Sequence, residues 1–90
     1  MDYSYVFTPT AQRDLEKLER QYALAILKKM KEFIALENPL VRAKKLKGFD
    51  TDTYRFRVGD YRVVFRTDTE TGYLVVLVIL KIAHRKDVYK

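Results

Sequence analysis

Arginines cluster in one short stretch of the sequence, YRFRVGDYRVVF, which covers residues 54 to 65. If this stretch forms a β-hairpin, Arg55, Arg57 and Arg62 share one face, because residues of the same parity point to the same side of a strand. A guanidinium group donates paired hydrogen bonds to phosphate oxygens and keeps its charge at any physiological pH. The stretch therefore predicts a surface that binds phosphate.

The turn of this hairpin decides how the arginines face each other. Gly59-Asp60 suits a two-residue turn of type I′ or II′, and such a turn places Arg57 directly opposite Arg62. Opposed like charges destabilise a sheet by a few tenths of a kcal/mol up to about 1 kcal/mol. A bound phosphate would remove this repulsion. The competing interpretation is a set of solvated charges that discourage aggregation at sheet edges.

The end of the chain, AHRKDVYK, supplies a second group of candidate residues: His84, Arg85 and Tyr89. Imidazole has an unperturbed pKa near neutrality, so His84 could donate or accept a proton. Strand alternation sends His84 and Arg85 to opposite faces, so both reach one site only if the strand has ended. Basic residues near the hairpin are further candidates for RNA binding: Lys44, Lys45, Lys47 and Arg66.

The first half of the chain predicts one strand followed by two helices. Tyr3, Tyr5 and Phe7 alternate with other residues, which indicates a short strand with an aromatic side. Thr8 and Pro9 then read as an N-cap and a first helical position. Apolar residues at helical spacing predict a helical hairpin over residues 8 to 37, and Pro39 prevents its extension.

The second half predicts a loop and then strands. Periodicity fails from residue 40 to 53, which indicates a connecting loop. Strands are expected at 54 to 58, 61 to 67 and 73 to 83, with a second turn over 68 to 72; the last strand is apolar on both faces, which is typical of a covered strand. The predicted fold is α+β, ordered β-α-α-β-β-β, with the helical hairpin packed on one face of a small, mainly antiparallel sheet.

Composition limits the classes of function. Ninety residues suffice for one domain, which we place at 1 to 90, and 48% apolar with 33% charged residues is typical of a folded chain. The net charge of +6 favours polyanionic partners. No cysteine is present, which excludes thiol chemistry and thiolate metal sites. We expect a soluble cytoplasmic protein, because no signal peptide is recognisable and no apolar run approaches the roughly 20 residues that span a bilayer.

The run YRFRVGDYRVVF, followed by an apolar strand and HRKDVY, resembles the RelE/ParE toxin superfamily, and within it the RelE branch. The resemblance extends over essentially the whole chain and includes the T-P-x-A helix start and the KLKG segment. It implies a toxin that cuts mRNA in the ribosomal A site and is silenced by a cognate RelB-like antitoxin, in a hetero-oligomer. It also implies catalysis by basic side chains, with no metal and no small-molecule cofactor.

The resemblance assigns a role to each candidate residue. Arg55 and Arg57 fall where such toxins place basic residues that assist a general base, but a guanidinium is a poor base at neutral pH. Arg62 corresponds to the arginine that clamps the phosphate, and Arg85 to the one that stabilises the transition state or protonates the leaving oxygen. Tyr89 matches the tyrosine that stacks on a base, a contact worth roughly 1 to 3 kcal/mol.

Two other functions remain open at this point. A ParE-like toxin shares the fold but poisons DNA gyrase without catalysis. A basic nucleic-acid-binding module would bind RNA in a salt-sensitive way and not cut it.

Overall fold

The computed structural model describes residues 2–48, 52–72 and 74–86. The strands are β1 (Asp2–Phe7), β2 (Ala43–Leu46), β3 (Thr53–Val58), β4 (Tyr61–Thr71) and β5 (Leu74–His84); the helices are α1 (Pro9–Lys17), α2 (Arg20–Ile34) and a 3₁₀ helix (Pro39–Arg42). The strands form one sheet in the order β1-β5-β4-β3-β2. β1 runs parallel to β5, and every other neighbouring pair is antiparallel. The expected α+β fold with a mainly antiparallel sheet is confirmed.

The helical hairpin begins as the sequence predicts. The Thr8 hydroxyl accepts a hydrogen bond from the Ala11 amide at 3.2 Å, and Pro9 is the first helical residue. α2 ends at Ile34, earlier than predicted, because Asn38 and Pro39 open a separate 3₁₀ helix. No helix in the described part of the chain is long and apolar enough to span a membrane.

Two boundaries in the second half were predicted wrongly. The expected loop over 40 to 53 contains the 3₁₀ helix and β2, which pairs with β3 at the sheet edge. β2 is only four residues long and carries two lysines, a composition common in edge strands but without apolar alternation. The expected turn over 68 to 72 is also wrong, since β4 continues to Thr71 and pairs there with Leu74.

Stacked aromatic rings join the helices to the sheet. Phe56 on β3 is fully buried between Phe33 of α2 and Phe65 of β4, with ring centroids 4.1 Å and 4.5 Å away. Ile26 and Met30 of α2 are also fully buried. The helices therefore cover one face of β3, β4 and β5, and leave the opposite face uncovered by helix.

A β-bulge at Leu80 changes the phase of β5. Phe65 pairs with Ile79, but Val64 pairs with Lys81, so Leu80 is an extra residue on β5. Before the bulge Leu77 and Ile79 face the helices, and after it Ile82 does. Every residue beyond Leu80 consequently points to the side opposite to the one that simple alternation assigns.

α1 and its cap hold this bulge. β1 ends at Phe7 opposite Ile79, so the following part of β5 lacks a neighbouring strand on that side. The Thr8 hydroxyl donates to the Leu80 carbonyl at 3.4 Å, and the Ile82 amide donates to the Asp14 carboxylate at 3.0 Å. Side chains of α1 and its cap thus satisfy backbone groups of β5 that the end of β1 leaves without a neighbouring strand.

Replacing Asp14 by alanine tests this support. Asp14→Ala leaves the Ile82 amide without its acceptor, and we expect a loss of about 1 to 3 kcal/mol in the free energy of unfolding. Glu16→Ala, which removes an exposed carboxylate from the same helix, should change it by less than about 0.5 kcal/mol. Urea denaturation measures both; equal losses in the two variants would contradict the role given to Asp14.

Candidate functional site

The sheet surface that carries Arg55, Arg57, Arg62 and Arg66 lies opposite the helices, and we call it the arginine face. The hairpin register matches the sequence prediction, with Arg57 directly opposite Arg62. Gly59 has φ +59° while Asp60 has a negative φ, which fits the type II′ turn and not type I′. The two-residue turn thus sets the like-charge pair.

The exposed fraction of the side chain differs strongly between Arg57 and Arg62. Arg62 is only 8% exposed, because β4 is the central strand and Arg62 lies between Arg57 on β3 and Ala83 on β5. Arg57 is exposed and Arg55 is half-buried. A charge held out of water acts more strongly on a nearby anion than an exposed charge. The arrangement therefore favours a negatively charged ligand at the Arg57 and Arg62 pair.

The predicted RNA-binding cations divide between two faces. Lys44 pairs with Arg55 across β2 and β3 and joins the arginine face. Lys45 pairs with Tyr54, on the opposite side, and its ammonium lies 3.1 Å from Asp52. The hydrogen bond to Asp52, together with its charge, raises the pKa of Lys45. Lys47 is exposed beyond the end of β2.

Arg66 lies on the arginine face with a carboxylate beside it. Its guanidinium is 3.7 Å from Asp68, and both side chains are substantially exposed. An exposed pair of this kind contributes little to stability, so a stronger anion can displace the carboxylate. Arg66 remains available to a ligand.

Arg85 is held at the tip of the hairpin. Its backbone amide donates to the Asp60 carbonyl at 2.7 Å, and its Nε is 3.7 Å from the Asp60 carboxylate. The bulge places Ala83 on the arginine face beside Arg62, and Arg85 follows just after the strand ends. Arg85 is thus tied to Asp60 in the turn that joins β3 to β4.

His84 lies on the helix side of the sheet. It pairs with Tyr61, whose ring meets the imidazole edge to face at 5.5 Å, and both line a cleft of about 240 Å³ with Tyr22. The His84 Nδ1 accepts a hydrogen bond from the Lys86 amide at 3.3 Å. The structure therefore does not bring His84 to the arginines. Tyr89 lies outside the described residues.

Lys81 is a candidate that the sequence reasoning missed. Simple alternation along β5 puts Lys81 with Leu77 and Ile79, which face the core. The bulge instead places it opposite Val64, exposed on the arginine face. Simple alternation assigns Lys81 to the core, where a lysine is unusual. This was the one signal in the sequence that the alternation of β5 is interrupted. The described residues include no group of three or more His, Cys, Asp or Glu side chains that could hold a metal ion.

Relieving the Arg57 and Arg62 repulsion should stabilise the protein. We expect Arg57→Gln to raise the free energy of unfolding by a few tenths of a kcal/mol to about 1 kcal/mol at low salt, with a smaller gain in 1 M salt, where charges are screened. Lys28→Gln, on the exposed side of α2, serves as the control for lost net charge. Equal gains in both variants would contradict a specific repulsion.

Comparison with known proteins places this geometry in context. A family model described as the ParE toxin of type II toxin-antitoxin systems matches residues 5–89. Toxin RelG from Mycobacterium tuberculosis is 36% identical over 90 residues, which cover 100% of this chain and 99% of RelG.

Solved structures show the same fold. A chain of the M. tuberculosis toxin-antitoxin complex RelBE2 has a TM-score of 0.78 and 32% identity, and the match covers 94% of this chain and 100% of that one. A chain of the RelB-RelE antitoxin-toxin complex from Methanococcus jannaschii has a TM-score of 0.68 and 24% identity, covering 93% and 94%. At that identity the second likeness supports the fold alone.

Proposed function

The chain belongs to the RelE/ParE superfamily of toxins from type II toxin-antitoxin systems, and we propose that it is a ribosome-dependent endoribonuclease that cleaves mRNA in the A site. The observation that carries this proposal is the Arg57 and Arg62 pair on an uncovered sheet face. A like-charge pair of this kind costs stability, so its retention favours a role in binding an anion. In an mRNA that anion is a backbone phosphate.

In the proposed reaction, a ribose hydroxyl of the RNA attacks the adjacent phosphate of the same strand. The ribose 2′-oxygen forms a bond to the adjacent phosphorus and gives its proton to solvent water, while the bond from phosphorus to the 5′-oxygen breaks and that oxygen takes a proton from solvent water. The products are a 2′,3′-cyclic phosphate and a free 5′-hydroxyl. Negative charge grows on the phosphoryl oxygens in the transition state, and fixed cations around them lower its free energy.

The arginines take different parts in this scheme. Arg62 is nearly buried on the central strand and serves as the fixed clamp on the phosphate, with Arg57 as its exposed partner and Arg55 beside them. We assign to Arg85, whose Nε lies 3.7 Å from the Asp60 carboxylate, the stabilisation of the charge that develops on the leaving 5′-oxygen. We retain Tyr89 as the base-stacking residue on the strength of the family resemblance.

His84 has no catalytic part in the proposal. Its ring packs on Tyr61 on the helix side of the sheet, away from the arginine face. We assign it to the packing between the hairpin tip and α2. The chemistry is given to the arginines and Tyr89, and the scheme uses neither a metal nor a nucleotide cofactor.

The proposed binding partners of this chain rest on its structural relatives and on its net positive charge. One structural neighbour is a chain of the M. tuberculosis toxin-antitoxin complex RelBE2, and we propose that a RelB-like antitoxin binds this chain in a hetero-oligomer. The net charge of +6 favours an acidic antitoxin segment. Ribosomes and mRNA are the proposed targets, which places the activity in the cytoplasm.

Primer extension on a translated mRNA with purified ribosomes tests the proposal. The protein should produce A-site cuts, and Arg62→Ala with Arg85→Ala should reduce the cleavage rate by on the order of 100-fold or more, because two charge-stabilising groups are lost. Lys28→Ala, on α2, should cut at the normal rate. Absence of cuts by the unaltered protein, or full activity in the double variant, would contradict the proposal.

The match to the ParE family model favours a second candidate, a non-catalytic inhibitor of DNA gyrase. A supercoiling assay with purified gyrase separates the two functions. Inhibition of supercoiling without mRNA cleavage would support the second candidate. Cleavage without inhibition would support the ribonuclease.

A further inference from the structure

Four cations surround Val64 on the arginine face. Arg55 on β3 and Lys81 on β5 are its direct partners across the sheet. Arg62 and Arg66 are its neighbours two residues away along β4, on the same face. Four basic side chains therefore surround Val64 in a cross-shaped arrangement. We call Val64 and these four residues the Val64 cross.

The dimensions of the Val64 cross suit a small anion. Adjacent strands lie about 4.8 Å apart, and residues two apart along a strand are separated by about 6.7 Å. Long side chains span such distances, so the four charged heads can converge above the valine. Val64 is 9% exposed and forms a flat apolar floor without a charge of its own.

In the described part of the chain, two of the four basic residues in the Val64 cross have no carboxylate that would compete with a bound anion. Among the described residues, neither Arg55 nor Lys81 has an Asp or Glu oxygen within 4.0 Å, whereas Arg66 has Asp68 at 3.7 Å. Arg55 and Lys81 thus bring positive charge to Val64 without an acidic group within 4.0 Å in the described part of the chain. A mixed-sign surface would have given solubility without this concentration.

We propose that the Val64 cross binds a second backbone phosphate of single-stranded RNA, next to the phosphate held by Arg57 and Arg62, and that Lys81 is one of its ligands. This inference rests on the proposed function, because it extends the same substrate across the face. Arg62 belongs to both sites and links them. The RNA backbone then runs along β4, from the hairpin tip towards Arg66, with Lys81 and Arg55 on either side.

The bulge at Leu80 makes this site possible. Without the extra residue, Val64 would pair with Leu80 and Lys81 would point towards the helices. With it, Lys81 supplies the fourth cation from β5. The same phase change moves His84 off the face, so the insertion of one residue determines which side chains of β5 meet the substrate.

The test measures binding to a short single-stranded RNA in which every ribose is 2′-O-methylated, so that cleavage is blocked. Affinity is measured by fluorescence anisotropy from 20 mM to 200 mM salt. For Lys81→Met we expect affinity about tenfold weaker at low salt, the loss of one charge-assisted contact. The slope of log affinity against log salt should fall by about 0.7, the value for one phosphate contact on a single strand.

Matched variants distinguish RNA binding at the Val64 cross from a general effect of the net charge of the protein. Lys81→Arg keeps the cation and should restore both affinity and slope, while Lys28→Met removes a lysine from α2 and should match the unaltered protein. The inference is overturned if Lys81→Met and Lys28→Met behave alike, if Lys81→Arg does not restore binding, or if the unaltered protein fails to bind at the lowest salt. Lys81-dependent binding without cleavage on ribosomes would uphold this site and reject the ribonuclease.

Discussion

The extra residue at position 80 in β5 determines which side chains of that strand reach the arginine face. A one-residue change of phase exchanges the two sides of a strand, and here it occurs just before the segment that carries Lys81, His84 and Arg85. The core tolerates it because Ile82 replaces Lys81 on the buried side. Thr8 and Asp14, from the cap and body of α1, bind the Leu80 carbonyl and the Ile82 amide, which lie beyond the end of β1.

The two faces of the sheet have different tasks. The helix side supplies stability through buried aliphatic residues and the stacked rings of Phe33, Phe56 and Phe65. The arginine face opposes this stability with like-charge pairs, Arg57 with Arg62 and Lys44 with Arg55. An anionic ligand would convert that repulsion into attraction.

Much of the fold could be predicted from local patterns. The Thr8 cap, the helical hairpin and the Gly59 turn each depend on residues adjacent in sequence, and the structure agrees at all three. The turn alone fixed the Arg57 and Arg62 pair, because a two-residue loop sets the register. β2 escaped prediction because its four residues lack apolar alternation and its pairing partner β3 does not follow it directly in sequence.

The candidate site was less predictable, for a physical reason. Which residues of β5 join the arginine face depends on the end of β1 and on contacts with α1, which are distant in sequence. Simple alternation along β5 therefore assigned Lys81 to the wrong face, and only the presence of a lysine at a core-facing position signalled the change. His84 is the last residue of β5, and its position on the helix side required the bulge.

One measurement tests the central claim, that the bulge builds a phosphate-binding face from Lys81 and the arginines and excludes His84. The 2′-O-methylated RNA is titrated into isotopically labelled protein, and NMR signals of the Val64 methyls, the Lys81 side chain and the His84 ring are followed together. The account predicts that the Val64 and Lys81 signals shift in proportion to binding while the His84 ring signals stay in place. Shifts of the His84 and Tyr61 rings with unchanged Val64 methyls would contradict it.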